Sequence, residues 1–195
     1  MMWAVEPSAR SGPKPVVLVP LAPGFEEIEA VSIIDVLRRA GIDVRVAGLS
    51  RGPVTGSHGI TLATDGTLDD IDHASLSMIV LPGGQPGSSH LRQDARVLEL
   101  IRELESSGRS VAAICAAPIV LAAAGVLEGR SATSHPSVRD QLSGAHVEES
   151  SRVVRAGKVV TSQGPGTSLE FALELVRELC GPERARTLAQ AMLVS

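Results

Sequence analysis

The chain has 195 residues, 44% of them hydrophobic and 21% charged, which suits one globular domain and excludes a wholly disordered chain. Its formal charge is −4, from 18 basic and 22 acidic side chains, so nothing draws it generally toward nucleic acid or anionic lipid. Three aromatic residues (Trp3, Phe25, Phe171) are too few for a base-stacking platform, two cysteines are too few for a disulfide framework or a Cys-based structural zinc, and no apolar run nears the roughly 18 residues of a membrane span.

Residues 1–14 have no hydrophobic period and no apolar segment behind their basic residues. They read as a disordered extension rather than a targeting signal, which points to the cytoplasm. A single α/β domain is expected over residues 15–195. Val16–Val19, with Pro20 and Leu21, is a short continuous apolar run, the mark of a strand buried on both faces. After the turn at Ala22-Pro23-Gly24, a helix opens on Glu26, Glu27 and Glu29 and closes on Arg38 and Arg39 before Gly41. Acids at the start and bases at the end both suit the helix dipole. Its inward stripe is expected to be Ile28, Val31, Ile34 and Leu37.

Ile42, Val44 and Val46 follow as a strand. Residues 50–72 are rich in turns, with a short hairpin around Gly59–Leu62. Met78–Leu81 reads as a buried strand ending in Pro82-Gly83-Gly84, and Ala95–Leu104 as an amphipathic helix. Ser110–Ile114 is a strand, and Ala116–Ala124 a helix stopped by Gly125. Ser131–Ser134 is a weaker strand, Val153–Val160 a hairpin, and Ser168–Leu179 and Glu183–Leu193 the closing helices. Strands alternating with helices imply a mostly parallel sheet covered on both faces. Ligands of such sheets bind outside the strand carboxyl ends.

Cys115 stands at such an end, between the strand closing at Ile114 and the helix expected from Ala116. Its small neighbours leave room for a sharp strand-to-helix turn of the nucleophile-elbow kind. There, helix-end polarity would favour the thiolate and lower the pKa. The alternative is an inert buried cysteine. Cys180, late in an amphipathic helix, reads as packing. The N–H groups of Gly84 and Ala116 are placed to form an oxyanion hole beside Cys115. Any of Glu26, Glu27 and Glu29 serves the helix dipole or reaches the cysteine; spacing leaves this open. His135 also falls late at the carboxyl edge, whereas His58, His73, His90 and His146 read as loop residues. No two histidines have metal-site spacing, so no metal is expected. Gln163–Ser168 lacks the Gly-Lys-Ser/Thr ending of a phosphate loop and reads as a turn, with Thr167 or Ser168 capping the next helix.

Four segments together resemble the ThiJ/PfpI superfamily, in the branch of Parkinson disease protein seven and its bacterial relatives. They are Gly24-Phe25-Glu26-Glu27-Ile28-Glu29, Leu81-Pro82-Gly83-Gly84, Ala112-Ala113-Ile114-Cys115-Ala116-Ala117-Pro118 and Thr161-Ser162-Gln163-Gly164-Pro165-Gly166-Thr167. The resemblance runs from about Val16 to Val194. It implies a flavodoxin-like three-layer α/β/α sandwich and a homodimer. It implies that Cys115 is the reactive cysteine, Glu29 a protonated partner carboxyl donating to the thiolate, His135 a neighbouring histidine, and Gly84 and Ala116 the oxyanion donors. Glu26 and Asp35 match acids of a dimer-interface charge cluster. His58 stands where the best-known member has an arginine of that cluster, and Ala63 where it has a second cysteine. The implied activity is glutathione-independent conversion of 2-oxoaldehydes such as methylglyoxal to lactate, with protein deglycation beside it. A redox sensor or chaperone working through oxidation of Cys115, and a cysteine amidase or peptidase using His135, are the alternatives.

Overall fold

The computed structural model describes residues 14–194; the extension expected at the N-terminus lies almost wholly outside them. The elements are β1 (Val16–Leu21), α1 (Glu27–Arg39), β2 (Asp43–Gly48), β3 (Val54–Thr55), β4 (Thr61–Leu62), β5 (Gly66–Thr67), β6 (Met78–Leu81), α2 (Gly87–Gln93), α3 (Ala95–Ser106), β7 (Ser110–Ile114) and α4 (Pro118–Ala123). They continue with β8 (Ser131–Ala132), β9 (His146–Val147), β10 (Val153–Ala156), β11 (Val159–Ser162), α5 (Ser168–Cys180) and α6 (Pro182–Ala191).

Seven strands form one sheet in the order β10-β11-β7-β6-β1-β2-β5. Every pairing is parallel except the β10–β11 hairpin. β3 and β4 form the hairpin expected within the turn-rich stretch. The strand order turns back at β1, with β2 on one side and β6 on the other. That reversal opens a crevice at the carboxyl ends, and β1, β6, β7 and β11 all end there.

The central strands are apolar at consecutive positions because both sheet faces are covered. On one face Val17, Val19, Met78, Val80, Ala112 and Ile114 pack with α1, α5 and α6. On the other, Leu18, Ile79, Leu81, Val111 and Ala113 pack with α3 and α4. Phe25 and Phe171 are fully buried in the first layer, and Cys180 packs partly buried against it, as expected.

Three expectations need correction. α1 buries Ala30, Ile33, Val36 and Leu37, together with Glu27 and Glu29, and leaves Ile28 and Val31 exposed at 58% and 45%. The helix carries two apolar stripes at helical spacing, and the one in register with Glu29 faces the sheet. The strand expected at Ser131–Ser134 shrinks to β8, which pairs with β9 outside the main sheet. The helix after Cys115 begins at Pro118, so the cysteine lies in a turn three residues ahead of it. α2 has no counterpart in the sequence reading. Among the described residues no helix is long and apolar enough to cross a membrane.

Candidate active site

Cys115 adopts φ +63°, a left-handed conformation rare outside glycine and costly by about 1–3 kcal/mol. Its backbone is held on both sides. The N–H extends the β7–β11 ladder by donating to the Ser162 carbonyl at 3.0 Å, and the carbonyl accepts from the His135 N–H at 2.8 Å. The turn closes with the Ala117 N–H on the Ile114 carbonyl at 3.0 Å. A strained residue fixed this firmly presents its sulfur to the crevice.

The N–H groups of Gly84 and Ala116 face that sulfur and favour its ionised form. Gly84 sits at φ +90°, and a Cβ there would lie 2.4 Å from the Glu26 nitrogen. A Cβ on Gly83 would lie 2.6 Å from Cys115 Cβ and 2.7 Å from Glu29 Oε2. Only glycines let the β6 loop pass so close to both reacting side chains.

Glu29 is fully buried. Its Oε2 accepts the Gly83 N–H at 2.7 Å, and the side chain that approaches the carboxyl is the Cys115 thiol. Glu29 Oε1 meets no nitrogen or oxygen partner. Burial raises the Glu29 pKa to about 7, against the Gly83 and Cys115 hydrogen bonds that lower it, and the Glu26 charge raises it further. Burial likewise pushes the Cys115 thiol up to about 12; the Glu29 charge and hydrogen bond add to this, and the Gly84 and Ala116 donors offset only part. The expected low thiol pKa is therefore corrected. The sulfur lies beside a buried carboxyl, not at an exposed helix end, and the pair holds two protons below about pH 7 and one above it.

Glu26 is buried at the start of α1. It caps α1, accepting the Glu29 N–H on Oε2 at 2.8 Å, while its own N–H donates to the Gly83 carbonyl at 2.9 Å. With the Gly83–Glu29 bond this closes a ring that fixes the start of α1 on the β6 loop. Asp35 pairs on the helix surface with Arg39 at 2.6 Å. Within the chain His58 pairs with Glu27: its Nδ1 lies 3.0 Å from Oε2, and its N–H donates to Oε1 at 2.6 Å. Burial works against ionisation of Glu27, but the His58 and Ile60 hydrogen bonds outweigh it and hold the pKa at about 2. The Glu27 partnership raises the pKa of His58. This anchor was not legible in the sequence, because it spans 31 residues of turn-rich chain.

His135 is exposed and caps its own turn: Nδ1 accepts the Ser137 N–H at 3.2 Å and meets Ser137 Oγ at 2.8 Å. Among the described residues no hydrogen bond joins its ring to the Cys115 sulfur. Of the histidines expected in loops, His90 lies on α2 and His146 on β9. One set of metal-ligand atoms among the described residues, from Glu26, Glu27 and His58, converges within 4.8 Å. Hydrogen bonds already occupy both Glu27 oxygens. A separate groove of about 920 Å³ beside α5 and α6 holds none of these site residues.

The chain resembles known proteins along nearly its whole length. Residues 15–178 match the DJ-1/PfpI family. Protein dj-1beta of Drosophila melanogaster is 45% identical over 181 residues, covering 91% of this chain and 96% of that protein. The glutathione-independent glyoxalase DJR-1.2 of Caenorhabditis elegans is 38% identical, covering 87% and 91% of the two chains. The crystal structure of Drosophila melanogaster DJ-1beta agrees with a TM-score of 0.90 at 43% identity, over 93% of this chain and 99% of that one. By these matches and the flavodoxin-like sandwich they share, the chain belongs to the DJ-1/PfpI family.

Proposed function

We propose that the protein is a cofactor-free, cysteine-dependent enzyme that converts 2-oxoaldehydes such as methylglyoxal to 2-hydroxy acids, and that protein deglycation is a second outlet of the same thiol chemistry. The observation that carries this reading is the burial of Glu29 beside Cys115 under two main-chain donors. A relative at 38% identity bears the name glutathione-independent glyoxalase.

Cys115 Sγ attacks the aldehyde carbon, and Glu29 carries the thiol proton to the carbonyl oxygen, giving a hemithioacetal. The Gly84 and Ala116 N–H groups hold the developing oxyanion; one such donor is worth about 3 kcal/mol in comparable sites. Glu29, again a carboxylate, takes the proton from the former aldehyde carbon and returns it to the adjacent carbon, while the hydroxyl proton passes from the first oxygen to the second. The resulting 2-hydroxyacyl thioester is cleaved by water, releasing the acid and restoring the thiol. A base with a pKa near 7 suits this work, since proton transfer is most efficient when pKa and operating pH agree. His135 lines the approach and assists transfer at the rim.

Ile28 and Val31 on α1 and Ile60 are exposed apolar residues, and the Ile60 N–H reaches Glu27 Oε1 at 3.3 Å. This patch, next to the Glu27–His58 anchor, is the face we assign to a homodimer. Two unbridged cysteines suit a reducing compartment, and we place the reaction in the cytoplasm.

The occupied Nδ1 of His135 weighs against a Cys–His amidase. Lactate formation from methylglyoxal without glutathione tests the reading; Cys115→Ser abolishes it while leaving the fold intact.

A further inference from the structure

Three sides of the Cys115 sulfur are closed. Glu29 and Gly83 lie beneath it, Gly84 and Ala116 supply their N–H groups, and the β11 loop stands over it. A Cβ on Gly164 would sit 4.0 Å from Cys115 Sγ and 3.7 Å from the His135 ring carbon Cδ2. Both are ordinary van der Waals separations. A methyl group at this position therefore touches sulfur and imidazole together without forcing either to move. The space it would take is the space between the thiol and the exposed histidine, the side open to solvent.

The backbone does not itself require glycine here. Gly164 is extended, with φ 163° and ψ −169°. Its N–H donates to Thr167 Oγ1 at 3.1 Å and its carbonyl accepts the Thr167 N–H at 2.8 Å, bonds that an alanine keeps. Gly83 and Gly84 differ, since a Cβ on either would lie within 2.6 Å of neighbouring atoms.

We propose that Gly164 is a specificity-determining residue: its missing side chain is the pocket for the substituent carried by the carbon adjacent to the one bonded to Cys115. This rests on the 2-oxoaldehyde reading for the identity of the substrate, but the pocket itself is a property of any electrophile that bonds to the sulfur. Glyoxal places only hydrogen there, methylglyoxal a methyl group and phenylglyoxal a ring. Filling the space should discriminate among them by size.

The test is Gly164→Ala, with Gly164→Val as a larger step and thermal unfolding as the check on folding. For Gly164→Ala, kcat/KM for glyoxal stays within about threefold of the parent while that for phenylglyoxal falls by about tenfold or more, with methylglyoxal between. In parallel, alkylation of Cys115 is timed with iodoacetamide and with N-phenylmaleimide, without turnover. The bulkier reagent slows by about tenfold and the smaller one little. Equal losses for all sizes, or no change for any, overturn the proposal. If the parent protein turns over no oxoaldehyde, the proposed reaction fails, and the alkylation pair still decides whether Gly164 sets the space.

Discussion

Glu29 Oε2 accepts the Gly83 N–H at 2.7 Å, tying a buried carboxyl on α1 to the loop that covers the Cys115 sulfur. One main-chain donor cannot compensate a full negative charge in this crevice, so burial prevails and the carboxyl keeps its proton to about pH 7. The same proton links stability, acid–base behaviour and the order in which the two groups react.

Its first consequence is for stability. A folded-state pKa of about 7 against the ordinary 4.5 means that the folded state binds the extra proton. That contribution is complete below about pH 4.5 and is lost as the pH rises through 7. Glu29→Gln carries no charge to bury. It is therefore close to the parent in stability at pH 5 and more stable at pH 8, by up to about 3 kcal/mol. Urea unfolding of both proteins at the two pH values measures the difference.

The ring made by Glu26, Glu29 and Gly83 separates capping from charge. Glu26→Gln keeps an acceptor for the Glu29 N–H and removes the neighbouring charge, so the Glu29 pKa falls a little while burial still holds it above the ordinary carboxylate range. Glu26→Ala also loses the cap, at a cost of about 1 kcal/mol. Carbon-13 NMR of the labelled Glu29 carboxyl reads the first effect, and thermal unfolding the second.

His58 hangs on Glu27. With Glu27 in place the imidazole titrates above its ordinary 6.5, and Glu27→Gln returns it toward that value. Any stability from the raised His58 pKa is complete below pH 6.5 and is lost as the pH passes its folded value. Proton NMR titration of the His58 ring in the two proteins follows the shift.

The exposed stripe of α1 is the face assigned to self-association. Ile28→Asp puts a charge at the middle of it without touching the sheet-facing side. The variant sediments as a monomer at concentrations where the parent is a dimer. Equal sedimentation of the two would remove this face from the assembly.

The sheet was legible in the sequence to the residue at β6 and β7, because a strand covered on both faces is a bare apolar run between glycine-rich turns. Cys115, Gly84 and Ala116 were legible for the same reason: each follows one of those runs. The rotation of α1 was not, since Ile28-Val31-Ile34 and Ala30-Ile33-Leu37 fit a helix equally well, and only the docking of Glu29 against Gly83 chooses between them. α2 escaped because its seven residues, mostly Gly, Ser and polar side chains, hold a single large buried apolar residue, Leu91. The thiol pKa escaped because it depends on how deeply the carboxyl beside it is buried, which no local spacing records.

In the proposed reaction Glu29 acts as the base for a thiol that is protonated at rest. The measurement closest to it is the pH profile of lactate formation from methylglyoxal, without glutathione, for the parent and Glu29→Gln. The parent rate rises through a midpoint near pH 7 as the carboxyl ionises, and the variant loses about 10²–10⁴-fold and shows no such midpoint. A Glu29→Gln protein that forms lactate at the parent rate, with the same midpoint, would contradict it.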